Sequence, residues 1–206
     1  MNIDIKKSIK PVNYINAIDF LEKRLESIDK KKNNELIWIL EHPSTFTAGK
    51  TYKNSEILDP KIKLTKSSRG GKITWHGPGQ LVCYLVIDLK KRNKDIRKFI
   101  ISVENAIIKT LNDYKIKSFS DRKNIGIWVN HQKKIKKVGA IGFRIRKWIV
   151  YHGFSINITN KLNQYKKIIP CGIKDRGVTN LKLIKKQNYS KIQEKIISNL
   201  INNLKI

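Results

Sequence analysis

The chain contains no apolar run approaching the roughly 20 residues needed to cross a bilayer, and no repeat, long linker or low-complexity tail breaks its 206 residues. Its first residues, Met1 to Lys7, lack the apolar core and small-residue cleavage site of a secretory signal. Cysteine is scarce: Cys83 and Cys171 make neither a disulfide framework nor a multi-cysteine metal site. These absences exclude membrane and disulfide-scaffold classes and leave a cytoplasmic protein, expected as a monomer. Arginine is scarce as well. Of 44 basic residues 36 are Lys and 8 are Arg, so the net charge of +28 is carried by lysine. Specific readers of bases and phosphates lean on the planar fork of arginine. The lysines are spread along the whole length beside many Ile and Asn residues, as compositional drift at tolerant surface positions would leave them. A nucleic-acid partner is therefore not expected, although a basic face would steer acidic proteins.

What is present suits one domain spanning residues 1–206, with 40% apolar and 29% charged residues. Ile15, Ile18, Leu21, Leu25 and Ile28 recur at a helical period over residues 13–31, and Phe99, Val103, Ala106, Ile107 and Leu111 do so over Asp95–Tyr114. Ile192, Ile196, Leu200 and Leu204 mark a third helix over Tyr189–Ile206. Glu35–Glu41 reads as a buried strand, and residues 43–68 as an irregular loop at the mouth of a site. Lys72–Trp75 and Gln80–Leu89 read as strands bracketing a Gly-Pro-Gly turn. Residues 125–158 read as a meander, with a turn at Asn130–Gln132. Strands clustered together, with helices before, between and after them, predict an α+β domain: a mixed β-sheet flanked by helices.

Chemistry concentrates in a few places. Residues 69–80, Arg69-Gly-Gly-Lys-Ile-Thr-Trp-His-Gly-Pro-Gly-Gln80, hold four glycines, one Arg and one His. That glycine density exceeds the need of a hairpin and points to a loop wrapping a ligand with bare backbone. Cys171 sits in Ile168-Ile-Pro-Cys-Gly-Ile173, a corner able to present a sulfur beside free N–H groups, as a thioester-forming nucleophile requires. Cys83, inside the apolar run Leu81–Val86, reads as structural. A nucleophilic thiol needs a partner that makes it a thiolate. His76 and His152, each beside a glycine, qualify; so does Lys137, followed by Val-Gly-Ala-Ile-Gly142.

Taken in order, Arg-Gly-Gly-x-x-Thr-x-His-Gly-Pro-Gly-Gln, Lys-x-x-Ala-Ile-Gly, His-Gly-Phe, and Pro-Cys-Gly-Ile followed by Val-Thr-Asn-Leu resemble the octanoyltransferases of lipoate biosynthesis. These belong to the lipoate and biotin ligase fold superfamily, and the resemblance runs from Leu36 to Leu181. It implies that Cys171 is the acyl-thioester nucleophile, and that Lys137 lowers the thiol's pKa and serves as general acid and base. It implies three substrate-binding walls: Arg69, Gly70, Gly71, Lys72, Ile73, Thr74, Trp75 and His76; then Ala140, Ile141 and Gly142; then Gly153, Phe154 and Ser155. Octanoyl-acyl carrier protein is the implied donor. The implied acceptors are lipoyl domains of 2-oxoacid dehydrogenase E2 subunits and the glycine cleavage H protein. No metal or cofactor is implied. The chain departs from its relatives at Cys83 and Leu85, where glycine and proline are usual. The rival readings are an ATP-dependent lipoate or biotin ligase on the same fold, a cysteine hydrolase, and a basic nucleic-acid-binding protein.

Overall fold

The structure, a computed structural model, describes residues 2–172 and 176–204, and of Cys171 the backbone alone. Its large sheet runs in the order β1 (Ile3–Lys7), β2 (Glu35–Leu40), β6 (Gln80–Asp88), β10 (Ile149–Asn157), β9 (Lys134–Arg146), β8 (Ile127–His131) and β7 (Phe119–Ser120). A short β11 (Gly177–Val178) joins β9 in parallel, β1 lies parallel to β2, and the remaining pairs are antiparallel. A second sheet has the order β4 (Leu64–Lys66), β3 (Thr45–Ala48), β5 (Ile73–His76). The helices are α1 (Tyr14–Asp29), α2 (Ile96–Asp113), α3 (Leu181–Ile184) and α4 (Ile192–Leu204). The mixed sheet flanked by helices agrees with the sequence reading.

Strand alternation sorts the core into two faces. On β6, Leu81, Cys83, Leu85 and Ile87 pack with Phe99, Val103 and Ile107 of α2 and Ile196 and Leu200 of α4. Val82, Tyr84 and Val86 point the other way, toward Leu21, Leu25 and Ile28 of α1. Each fully buried aliphatic side chain contributes about 1.5–3 kcal/mol, which is why strands β2, β6 and β10, buried along their whole length, hold the centre. Asn13 starts α1 by accepting hydrogen bonds from the amides of Ile15 and Asn16, and Asp95 starts α2 by accepting one from Lys98. Ile15, placed on the helical stripe by its spacing, faces solvent instead. Gln132–Lys133 and Lys147–Trp148 all have positive φ, the signature of the two-residue hairpin turns that build the β8–β9–β10 meander.

One expectation for the connecting segments changes. Residues 43–68 are not one irregular loop: they contribute β3 and β4 to the second sheet, strands too short for alternation to show. Strands do bracket the Gly-Pro-Gly turn, as expected, and they belong to different sheets. The Gly77–Gly79 turn carries the chain from one sheet to the other, with β5 paired to β3 and β6 to β2 and β10.

One irregularity aims a side chain. Ile127 pairs with Gly139 but Trp128 pairs with Lys137, so Val138 is an extra residue on β9. Val138 turns into the α2/α4 core, and Lys137 is thereby put on the opposite face with Ala140 and Gly142.

Candidate active site

On that face, where α1 stops covering the large sheet, lies a cavity of about 400 Å³, within the usual range for small-molecule sites. The loop before β5 supplies Arg69, Gly70, Gly71 and Lys72, and β5 itself supplies Thr74 and His76. Strand β9 supplies Lys137, Ala140, Ile141 and Gly142; β10 supplies Gly153, Phe154 and Ser155. The three walls named from sequence are thus brought together. Ile73 and Trp75 do not line the space. They alternate with Thr74 and His76 and pack instead with Phe46, Tyr165 and Ile168 beneath the second sheet.

Arg69 holds its wall in shape. Its guanidinium donates to the carbonyl and hydroxyl oxygens of Thr47, at 2.8 and 2.9 Å, and to the Gly70 carbonyl at 3.0 Å. The Gly70 amide donates to the Phe143 carbonyl at 3.2 Å, clamping the loop to β9. A Cβ at Gly70 would stand 2.6 Å from that carbonyl oxygen, so only glycine permits the clamp.

Lys137 is 6% exposed. Its ammonium donates to the Ile125 carbonyl at 3.2 Å and lies 4.7 Å from the centre of the Trp128 ring. Arg176 lies over the same ring at 5.0 Å and pairs with Asp121 at 2.7 Å. Hydrogen bonds from Asn124, Arg176 and the Lys123 amide hold the Asp121 carboxyl well below the usual range. The backbone turn Pro170–Gly172 carries Cys171 and is tethered on both sides. Upstream, the Ile169 amide donates to the Glu56 carbonyl at 2.8 Å. Downstream, Val178 pairs with Lys137 and the Thr179 amide donates to the Lys137 carbonyl at 2.9 Å. Lys137 and Pro170 also line one small cavity together with Asn157 and Tyr165. The Cys171 side chain itself lies outside the described residues.

The histidines belong to buried networks. His76 Nδ1 stands 2.7 Å from Gln80 Oε1, while the Gln80 amide nitrogen donates to Asn157 and Tyr165 at 2.9 Å each. That bonding assigns the His76 proton to Nδ1. Burial, reinforced by His42 and Arg69, lowers the His76 pKa to about 3. His152 bonds Ser68 through Nε2 at 3.1 Å, and burial with Arg69 and Arg144 lowers it to about 3 as well. His42 sits between the Val12 carbonyl and the Tyr84 hydroxyl, lowered to about 4 chiefly by burial. All three are neutral rings near pH 7. Cys83 is fully buried, and desolvation pushes its thiol well above the ordinary value.

The model of the lipoyl protein ligase A/B catalytic domain matches residues 13–201. The chain belongs to this family. An octanoyltransferase of Ehrlichia ruminantium (strain Gardel) is 45% identical over 176 residues, covering 84% of this chain and 85% of the relative. An octanoyltransferase of Novosphingobium aromaticivorans is 41% identical over 180 residues, covering 87% and 81%. Among solved structures, a lipoate-protein ligase A with ATP bound superposes with a TM-score of 0.74 at 16% identity, covering all of this chain and 87% of the other. A bipartite lipoate protein ligase from Thermoplasma acidophilum does so at 0.74 and 14%, covering 100% and 85%. At such identities the likeness is one of fold.

For this family member, sequence reasoning missed several cavity residues: Tyr14, Val82, Tyr84 and the Lys123–Ile125 segment. Val82 and Tyr84 were legible as the alternate parity of an apolar strand. Trp128 and Glu56 carried no signal. Among the described residues, no helix is long and apolar enough to cross a membrane.

Proposed function

We propose that this chain transfers an octanoyl group from acyl carrier protein, through a thioester on Cys171, to a lysine of a lipoyl domain. Octanoyl transfer is the activity supported by relatives 41–45% identical over most of the chain. The observation that best supports the two-residue chemistry is the tether between the Pro170–Gly172 turn and the Lys137 strand, with the Lys137 ammonium buried in the cavity wall. An ammonium beside a thiol favours the thiolate. The thiolate attacks the octanoyl carbonyl and the carrier's thiolate leaves, taking a proton from the Lys137 ammonium, which becomes a neutral amine. The acceptor's amine then attacks the acyl-enzyme, Lys137 receives the amine proton, and the Cys171 sulfur is released. Ala140, Gly142, Gly153 and Ser155 leave room for the chain, whose burial supplies about 0.8 kcal/mol per methylene. Specific acceptors, as E2 subunits and H protein, a monomeric state and a cytoplasmic location belong to the same reading.

The test is intact-mass analysis after incubation with octanoyl-acyl carrier protein. One octanoyl group on Cys171 is expected. An unmodified wild type, or an undiminished adduct in Cys171→Ala, would sink the reading. Transfer that requires ATP would establish the ligase instead. In Lys137→Ala, Cys171 alkylation should titrate at higher pH, and an unchanged profile would assign the activation to another group.

A further inference from the structure

Glu56 is an acid where acids are rarely left: it is 3% exposed, in the short 3-10 turn Asn54–Glu56 ahead of β4. A buried carboxylate needs a charged partner. Among the described residues Lys72 provides it, with Nζ 3.0 Å from Glu56 Oε1. The second carboxylate oxygen accepts a long hydrogen bond of 3.5 Å from the Ile73 amide. The same residue reaches the nucleophile's turn through its backbone, since the Glu56 carbonyl accepts the Ile169 amide and the neighbouring Ile57 bridges to Ile168.

The pair lies directly against the residue after Cys171. Gly172 has φ of 68°, and a Cβ built on it would collide with Lys72 Nζ and stand 3.0 Å from Glu56 Oε1. Lys72 also lines the main cavity, so one residue borders both the cavity and the turn. Lys137 approaches the turn from β9. Two cations and one anion therefore converge on the Cys171 backbone from three separate elements.

We propose that Glu56 and Lys72 are a tuning pair for the nucleophile: Lys72 is a second cation beside the thiolate, and Glu56 holds it there while cancelling part of its charge. The proposal rests on the reading of Cys171 as the acyl-thioester residue. Among the described residues, the other titratable groups around the turn are Lys137 from β9, Tyr165 from the turn before it, His76 on β5 and Arg176 beyond it. His76 is neutral, and Arg176 is paired with Asp121. Removing one member of the pair exposes the charge of the other, so the two deletions must act with opposite sign. A merely structural role would weaken both variants alike.

The experiment is the pH dependence of Cys171 alkylation by iodoacetamide in the intact chain, read at that residue by peptide mass. Glu56→Gln should lower the midpoint, and Lys72→Met should raise it, each by roughly one pH unit as expected for a nearby charge. Lys72→Arg should stay close to wild type, and the double variant should return toward it. Midpoints that move together, or do not move, overturn the tuning pair. If Glu56→Gln fails to fold, Lys72→Met against Lys72→Arg decides: a rise in the first without the second supports the pair, and equal behaviour overturns it. If Cys171 alkylates normally but takes no octanoyl group in the wild type, it is the thioester reading that falls.

Discussion

Along β6, Leu81, Cys83, Leu85 and Ile87 point into α2 and α4 and are filled to contact, whereas Val82 and Tyr84, one residue out of step, line a cavity of about 400 Å³. Both sets come from one strand in one sheet. The difference lies in what stands opposite. Two amphipathic helices cover the first face with Phe, Val, Ile and Leu. Beyond the end of α1, the second face presents Ala140, Gly142, Gly153 and Ser155, and its cover is a glycine loop held by Arg69. A pocket can thus be made by removing side chains from half of one sheet face, while the other face carries the stability. The polar groups follow the same division: His42, His76, His152 and Tyr84 are all on the open side.

Acid should separate the two faces most strongly. Each buried histidine has a folded pKa of about 3 to 4, below the unfolded value near 6.5, so the unfolded chain binds more protons between those limits. Their contribution to stability is complete above about pH 6.5 and is lost as pH falls toward 4. It amounts to roughly 1.4 kcal/mol per histidine per pH unit. Urea midpoints at pH 7 and 5 should show that loss, and His152→Gln should flatten it; an identical slope in the variant would free His152 from blame. Next in size, Leu85→Ala on the helical face should cost about 3 kcal/mol in unfolding while leaving the transfer rate of the folded enzyme unchanged. Ala140→Leu should do the reverse: roughly a hundredfold loss of octanoyl transfer, equivalent to about 2.7 kcal/mol, with the thermal midpoint nearly kept. If it unfolds the chain instead, the second face is not open as described. The smallest effect concerns a polar pair on the helical side, where Asn199 donates to Thr110 between α4 and α2 at 2.9 Å. Thr110→Val should cost about 1–2 kcal/mol by orphaning that amide, measurable by denaturant titration.

The helices and the meander were legible because their periods run for many turns or strands. The three walls were legible because glycine is restrictive: few positions tolerate it without purpose, and four sit within residues 69–80. The second sheet was not legible, since strands of three or four residues are held by ladder bonds and by Phe46, Trp75 and Tyr165 beneath them. Glu56 read as one more acid in a polar stretch; its burial depends on Lys72 and on a turn more than a hundred residues away. Ile73 and Trp75 were placed on the wall because a motif is contiguous, whereas a strand gives alternate residues to opposite sides.

With 36 lysines in the chain, chemistry cannot be what distinguishes Lys137. Val138 does so by miscounting. Strand β9 keeps one parity before the inserted residue and the other after it, so Lys137 shares a face with Ala140 and Gly142, three and five positions on. The site therefore depends on an odd number, and such a dependence is blind to residue type. Val138 could be exchanged for isoleucine at little cost, whereas the same sequence paired without the bulge would turn the ammonium into the helices. Strands of this kind tolerate spelling changes better than changes of length.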